Sequence, residues 1–257
     1  MAGHLDDDIS AGLDVDTIRQ AGDGTATLTV SGADPGRLAG VLTGIRDRGV
    51  DLLSIHTLDR QPVAPVLRRT LTTDRLVLRP ATPEDVDATW AYRHLTEVNN
   101  WLGGAATSAP LYRERYFDPG RMAATVVVEL REPAGRLIGD LMLRREDAWS
   151  QLEVADRAKG AQVELGWVLD PGYTGAGYAT EGVRELLRYC FDELGIHRVV
   201  ANCFIDNDAS WRLMERVGMR REFHAIAESL HRSGRWLDTV MYAILADEWH
   251  EVNGPDR

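Results

Sequence analysis

The chain has 257 residues, 44% hydrophobic and 27% charged, enough for one large core or for two domains. Its formal net charge of −11 argues against an extended nucleic-acid interface, and no apolar run approaches the roughly 20 residues that a membrane-spanning helix needs. Met1 to Asp8 lacks the basic start and apolar stretch of a secretion signal, and Cys190 and Cys203 offer no disulfide or metal framework, so a reducing, cytoplasmic setting without a bound metal is expected.

The start of the chain is rich in Asp and Gly and reads as partly disordered. Ala26 to Ser31 then alternates as a strand does, with β-branched residues prominent. Asp34-Pro35-Gly36 opens a helix in which Leu38, Val41, Leu42 and Ile45 recur at helical spacing, and Gly49 ends it. Val50 to Ile55 reads as a second strand. Together these make one βαβ unit, whose two strands are too few for a stable sheet alone. The unit resembles half of an ACT-type ligand module, and also the C-terminal appendage of drug-resistance ABC-transporter ATPase subunits. The alternative is that it packs on the rest of the chain or pairs with another subunit, a homodimer included. The proline-containing connection Arg60 to Pro65 places this extension over 1–65 and a second domain over 66–257.

From Leu71 onward strand and helix patterns alternate. Leu71 to Pro80 reads as an opening strand, and Pro83-Glu84-Asp85 starts a helix with Pro in its first turn. Thr125 to Leu130 and Leu137 to Leu143 form a strand pair flanking Pro133-Ala-Gly135. Ala148 to Gln162 is a polar excursion, and Val163 to Leu169 a strand. Thr180 to Leu194 is an amphipathic helix, His197 to Cys203 a strand, and Ala225 to Leu230 with Asp238 to Leu245 a last strand pair about Gly234. Cys190 falls among Leu186, Leu187 and Phe191 and reads as packing. Cys203 also reads as packing, with a place on a substrate tunnel as the alternative.

The stretch from Val163 to Glu181 is the most informative. The strand breaks into a turn where Gly175 and Gly177 leave backbone N–H groups uncovered, and a helix follows whose first N–H groups have no internal partner. That is an anion site, with the positive end of the helix dipole aimed at the ligand. A P-loop needs Lys then Ser or Thr after its second glycine, and Tyr178 and Ala179 stand there. A dinucleotide fingerprint needs a glycine where Thr180 stands.

Thr174-Gly175-Ala176-Gly177-Tyr178-Ala179 resembles instead the pyrophosphate loop of the GNAT acetyltransferases, Gln/Arg-x-x-Gly-x-Gly/Ala, with Thr174 departing at the first position. Asn207 to Met219 is similar to the next motif of that family, in which Asn and Ser precede a short helix. Asn207 is a plausible N-cap, and Gly218 sits at the stop. Gly234 to Trp249 resembles the C-terminal signature of the RimJ/RimL-like branch, and Leu71 to Pro80 its opening strand. The four motifs come in family order from Leu71 to Trp249.

The resemblance implies a GNAT fold, an α/β (α+β) architecture with a central, mostly antiparallel mixed sheet flanked by helices. It implies acetyl-CoA as acetyl donor, seated where two strands splay apart. Backbone N–H groups near Val168 and Leu169 would polarise the thioester carbonyl. Amides of Thr174, Gly175, Ala176, Gly177, Tyr178 and Ala179 would hold the pyrophosphate, and Asn207 the pantetheine arm. Many relatives carry a Tyr acid where Met214 stands; in this branch a serine, Ser210, takes a thiolate-stabilising role, with helix capping as its alternative.

Strand alternation puts Glu164 opposite Val163, Leu165 and Trp167, so it faces the cleft as candidate general base and contact to the acceptor; burial there would raise its pKa. A solvent-facing carboxylate is the alternative. Glu181, in the first helical turn, reads as structural. Trp101 stacks on the acceptor or covers core. His197, His224 and His231 have no spacing that implies a metal or a triad. The expected function is N-acetylation of a primary amine, a protein or peptide α-amine first. A small-molecule amine and a non-catalytic acyl-CoA-binding regulator remain as alternatives.

Overall fold

A computed structural model describes residues 15–20, 26–30, 35–52, 63–105 and 107–254, and the chain divides into two units, 1–59 and 60–257. In the first unit, β1 (Thr17–Gln20) pairs antiparallel with β2 (Ala26–Thr29), from Thr17 opposite Thr29 to Gln20 opposite Ala26. Helix α1 (Pro35–Asp47) buries Val41 and Ile45, one turn apart, against Val15, Leu28, Val30 and Val50, while Leu38 is exposed.

Among the described residues, the strand over Ala26–Thr29 pairs with the preceding segment. Residues 50–52 are irregular, and the remainder of the expected strand over 50–55 lies outside the described residues. A short connection favours an antiparallel neighbour, because a parallel one needs a crossover.

The second unit is built on an eight-stranded sheet. Its opening strand is a hairpin, β3 (Leu71–Thr72) and β4 (Leu76–Pro80). A single 3-10 turn over Pro83–Asp85 leads into α2 (Val86–Arg93), then α3 (Thr96–Asn99), α4 (Ala109–Tyr116) and α5 (Pro119–Ala123). Then come β5 (Thr125–Leu130), β6 (Arg136–Glu146), α6 (Ala155–Ala158) and β7 (Gln162–Leu169). Helix α7 (Tyr178–Arg188) ends in a π-helical turn, Tyr189–Glu193. β8 (Arg198–Phe204), α8 (Asp208–Arg216), β9 (Arg220–Leu230), β10 (Trp236–Leu245) and α9 (Ala246–Asn253) complete the unit.

The strand order is β3-β4-β5-β6-β7-β8-β10-β9, antiparallel throughout except for β7 and β8. Alternation along β6 shows how the layers form. Leu141 and Leu143 face the main core, with Leu186, Leu187, Met214 and Tyr242, whereas Asp140 and Met142 face the opposite side. On that side α2 reaches down with Tyr92 and Arg93, and Val86, Tyr112 and Tyr116 form a smaller core. The chain enters the large core at Leu67, 1% exposed, where the Tyr189 hydroxyl bridges Val66 O and Arg68 N.

Candidate active site

The parallel pair of the sheet, β7 and β8, is a short join between two longer strands. β7 and β8 register at Gln162–Arg198, Val163–Val199 and Glu164–Val200, and no further. Beyond Glu164 the two strands are held apart by their other neighbours, β6 and β10, which pair with them to their ends. The expected splay is therefore present, with Glu164 at its apex.

The phase of β7 decides which backbone groups face the gap. Asp170 N–H donates to Ile138 O at 2.9 Å, and β6 and β7 pair without a register shift. Groups alternate along a strand, so Glu164, Gly166 and Val168 belong to the set that pairs with β6. Leu165, Trp167 and Leu169 turn their N–H and C=O toward the gap. The Val168 N–H therefore points into the sheet and not into the gap, where Trp167 and Leu169 present theirs, and Val168 contributes cavity wall.

At the far end of β7, Thr174 Oγ1 donates to Pro171 O at 2.9 Å, closing the turn. Gly175 and Gly177 have φ of 77° and 82°, the left-handed region that glycine adopts without steric cost. The first internal bond of α7 runs from Glu181 N to Gly177 O, so the amides from Gly177 to Thr180 are left for a ligand. Arg75 braces this loop by donating to Ala176 O at 3.0 Å and stacking over Tyr178 at 4.5 Å.

Glu181 is structural, through a partner that helix position alone does not show. Its carboxylate accepts from Thr73 Oγ1 (2.5 Å), Arg75 N (3.0 Å) and Arg75 Nε (2.6 Å), tying the β3–β4 turn to the loop. Burial pushes this carboxyl up, but the hydrogen bonds from Thr73 and Arg75 outweigh it and hold it below the ordinary carboxylate range. Cations flank the same end: Arg216 donates to Thr180 Oγ1 at 2.9 Å, and Arg184 to Arg216 O at 3.2 Å.

Across the gap, Asn207 occupies the N-cap of α8 without a side-chain capping bond, so its amide is uncommitted. Ser210 lies in the first turn of the same helix, its backbone N–H donating to Asn207 O at 3.0 Å. Burial pushes Cys203 up to about 11 and Cys190 up to about 12, so both stay thiols at neutral pH. Asn207, Ser210 and Cys203 share a cavity of about 2230 Å³ with Glu164, Trp101 and the glycine loop.

Glu164 lies in this cavity, and its carboxylate is engaged by two donors. Arg144 on β6 donates to Oε2, and Asn202 on β8 donates to Oε1 at 3.0 Å. Trp101 stands 6.2 Å from Phe204 and 5.8 Å from His231, ring centre to ring centre. His231 is 8% exposed and clamps the β9–β10 turn onto this region. Its Nε2 faces Asn100 O at 2.8 Å and must carry the proton, which leaves Nδ1 to accept from Ser233 N at 3.2 Å. Arg144, Asn202 and His231 were not legible as site residues, because only cross-strand register and the folding-back of a hairpin bring them there. Among the described residues no cluster of three or more His, Cys, Asp or Glu side chains fits a metal ion, and no helix is long and apolar enough to cross a membrane.

The fold is found in known proteins. Residues 75–220 match the Acetyltransferase (GNAT) domain family, and residues 1–56 match a domain of unknown function, DUF8691. The chain is 40% identical over 87 residues to the uncharacterized N-acetyltransferase YnaD of Bacillus subtilis, covering 34% of this chain and 51% of that protein. It is 31% identical over 85 residues to the [ribosomal protein uS5]-alanine N-acetyltransferase of Escherichia coli, covering 33% and 43%. The chain thus spans about half the length of these curated relatives. A crystal structure of a GNAT-family acetyltransferase from Bacillus anthracis superposes with a TM-score of 0.59 at 28% identity, covering 70% of this chain and 99% of that one. The chain belongs to the GNAT acetyltransferase family. Acetyl-CoA is the acetyl donor of that family.

Proposed function

We propose that the protein transfers acetyl from acetyl-CoA to a primary amine, a protein or peptide N-terminal α-amine, in a ternary complex without a covalent enzyme intermediate. The observation that carries this reading is the single parallel join that opens beyond Glu164, with an anion-holding loop at one end and a tethered carboxylate at the other. Amides from Gly177 to Thr180, with Thr174, Gly175 and Ala176 shaping the turn, hold the pyrophosphate. Asn207 holds the pantetheine arm, and the N–H groups of Trp167 and Leu169 polarise the thioester carbonyl.

Glu164 takes the proton from the incoming ammonium, directly or through one water, because only the neutral amine attacks. Ser210 donates to the departing thiolate. Trp101 lines the acceptor side. Residues 1–65 form an appended module that is not needed for cofactor binding, and a chain starting near Val66 should keep its affinity for acetyl-CoA.

The test is thiol release from acetyl-CoA against peptides with varied N-termini, polyamines, aminoglycosides and amino acids, with the added acetyl group confirmed by mass spectrometry. Acetylated peptides establish the α-amine reading, and an acetylated polyamine or aminoglycoside alone replaces it with the small-molecule one. Binding of acetyl-CoA with no acetylation of any amine overturns catalysis in favour of an acyl-CoA-binding regulator.

A further inference from the structure

Two glycines stand inside the paired strands β6 and β7, for different reasons. Gly139 on β6 lies opposite Leu169, and a Cβ there would fall 2.5 Å from Leu169 Cδ2 and from Val168 O, so no side chain fits. Gly166 on β7 is under no such constraint. Its backbone is not left-handed, and among the described residues a Cβ there would meet only Met142 Cβ and Cε, each at 3.5 Å, an ordinary van der Waals contact. A glycine inside a strand gives up packing and backbone entropy, and it marks a bulge or the close approach of another body. β6 and β7 pair from Gly139–Leu169 to Glu146–Gln162 without a register shift, so no bulge accounts for Gly166.

The bare position faces the cavity. Residues opposite one another across a sheet put their side chains on one face, and Met142, opposite Gly166, stands on the face away from the main core. Along β7, Leu165 and Trp167 pack with that core, so Glu164 and Gly166 share the other face. Glu164, Gly166 and Met142 all line the cavity. Gly166 is therefore a step without a side chain between the Glu164 carboxylate, whose residue lies about 7 Å back along the strand, and the N–H groups of Trp167 and Leu169. An amine that gives its proton to Glu164 and attacks a carbonyl polarised by those N–H groups crosses this step from the face of the sheet. The pantetheine arm, lying between β7 and β8 in the plane of the sheet, does not.

We propose that Gly166 is the floor of the acceptor site, and that its missing side chain sets how much bulk the acceptor carries on the carbon that bears its amine. This rests on the N-acetyltransferase reading and deepens it. The space suits an amine on a branched carbon, as at the N-terminus of a peptide, as well as one on a methylene.

The test fills the step in two sizes, Gly166→Ala and Gly166→Val, in the full chain; valine is at home in a strand. With acceptors that the wild type acetylates, kcat/KM for an amine on a branched carbon should fall about tenfold or more in Gly166→Ala and further in Gly166→Val. The loss should be smaller for an amine on a methylene, such as a peptide beginning with Gly. Calorimetric titration of CoA should give a Kd within about threefold of wild type, because the added methyl lies outside the plane of the gap. Unchanged acceptor kinetics, or equal losses for the two kinds of acceptor, overturn the proposal. Weakened CoA binding puts the close approach on the cofactor side and overturns it as well, and so does a Gly166→Ala chain that fails to fold in a thermal melt, since packing would then require the glycine. If the wild type acetylates no amine, the transferase reading falls and the acceptor floor with it. If the wild type transfers acetyl and both variants match it, the floor alone is wrong.

Discussion

Asn202 on β8 donates to Glu164 Oε1 on β7 at 3.0 Å, two residues beyond the last backbone pair of the two strands. With Arg144 of β6 on the other oxygen, the carboxylate is fixed at the apex of the split by one donor from each side. A carboxylate tethered in this way is held in position, with lone pairs beyond those two contacts still free to accept.

Replacing Glu164 by Gln keeps the side-chain shape and removes the base. Steady-state kinetics should show kcat reduced by roughly tenfold or more, with KM for acetyl-CoA within about threefold of wild type. Asn202→Ala should lower kcat less, because Arg144 still orients the carboxylate. Unchanged turnover in Glu164→Gln would remove Glu164 from the chemistry.

Gly177 carries a φ of 82°, where an alanine is strained by about 1–2 kcal/mol. Gly177→Ala should therefore either lower stability by about that amount or shift the loop, and in the second case its amides no longer converge on a diphosphate. Calorimetric titration of CoA should show affinity weakened on the order of tenfold, following the same RT ln Kd arithmetic. Full CoA affinity in a variant of unchanged stability would count against this loop as the diphosphate site.

The Glu181 carboxyl lies below its ordinary range in the folded state, with Thr73 and Arg75 as donors. A depressed folded value means stability that is present above the unfolded carboxylate pKa, about 4.3, and lost as pH falls through the folded one. Glu181→Gln should cost about 1–2 kcal/mol in urea unfolding at pH 7. The gap between variant and wild type should shrink as pH drops below 4. A gap independent of pH would mean that the charge on Glu181 does not matter.

Cys203 and Cys190 sit at about 11 and about 12, pushed up by burial. Only the thiolate reacts readily with a disulfide reagent, so the native protein at pH 8 should release little thionitrobenzoate over minutes. Unfolding in guanidinium should release two equivalents, one for each cysteine of the chain. Bound acetyl-CoA should protect Cys203 further, since Cys203 lies on the same cavity as Asn207 and Ser210. Rapid reaction of one thiol in the native state would contradict this packing.

What the sequence determined by itself was local or carried by contiguous motifs. The turn at Gly175 and Gly177, the helix after it, and the alternation that turns Glu164 away from Val163 and Leu165 follow from residue spacing over a few positions. So does the order of the strands from Thr125 to Leu245, whereas the hairpin within residues 71–80 and the helices between Thr96 and Ala123 were not legible. What the tertiary structure alone decided was set by pairing between distant segments. Only the β6–β7 register assigns Val168 to the sheet and Trp167 and Leu169 to the gap. Arg144 and Asn202 reach Glu164 from strands 20 and 38 residues away, and His231 reaches Asn100 across 131 residues. In the first unit, the same long-range freedom let the strand at Ala26–Thr29 choose a neighbour before it, because hydrogen bonding along a strand edge carries no record of sequence direction.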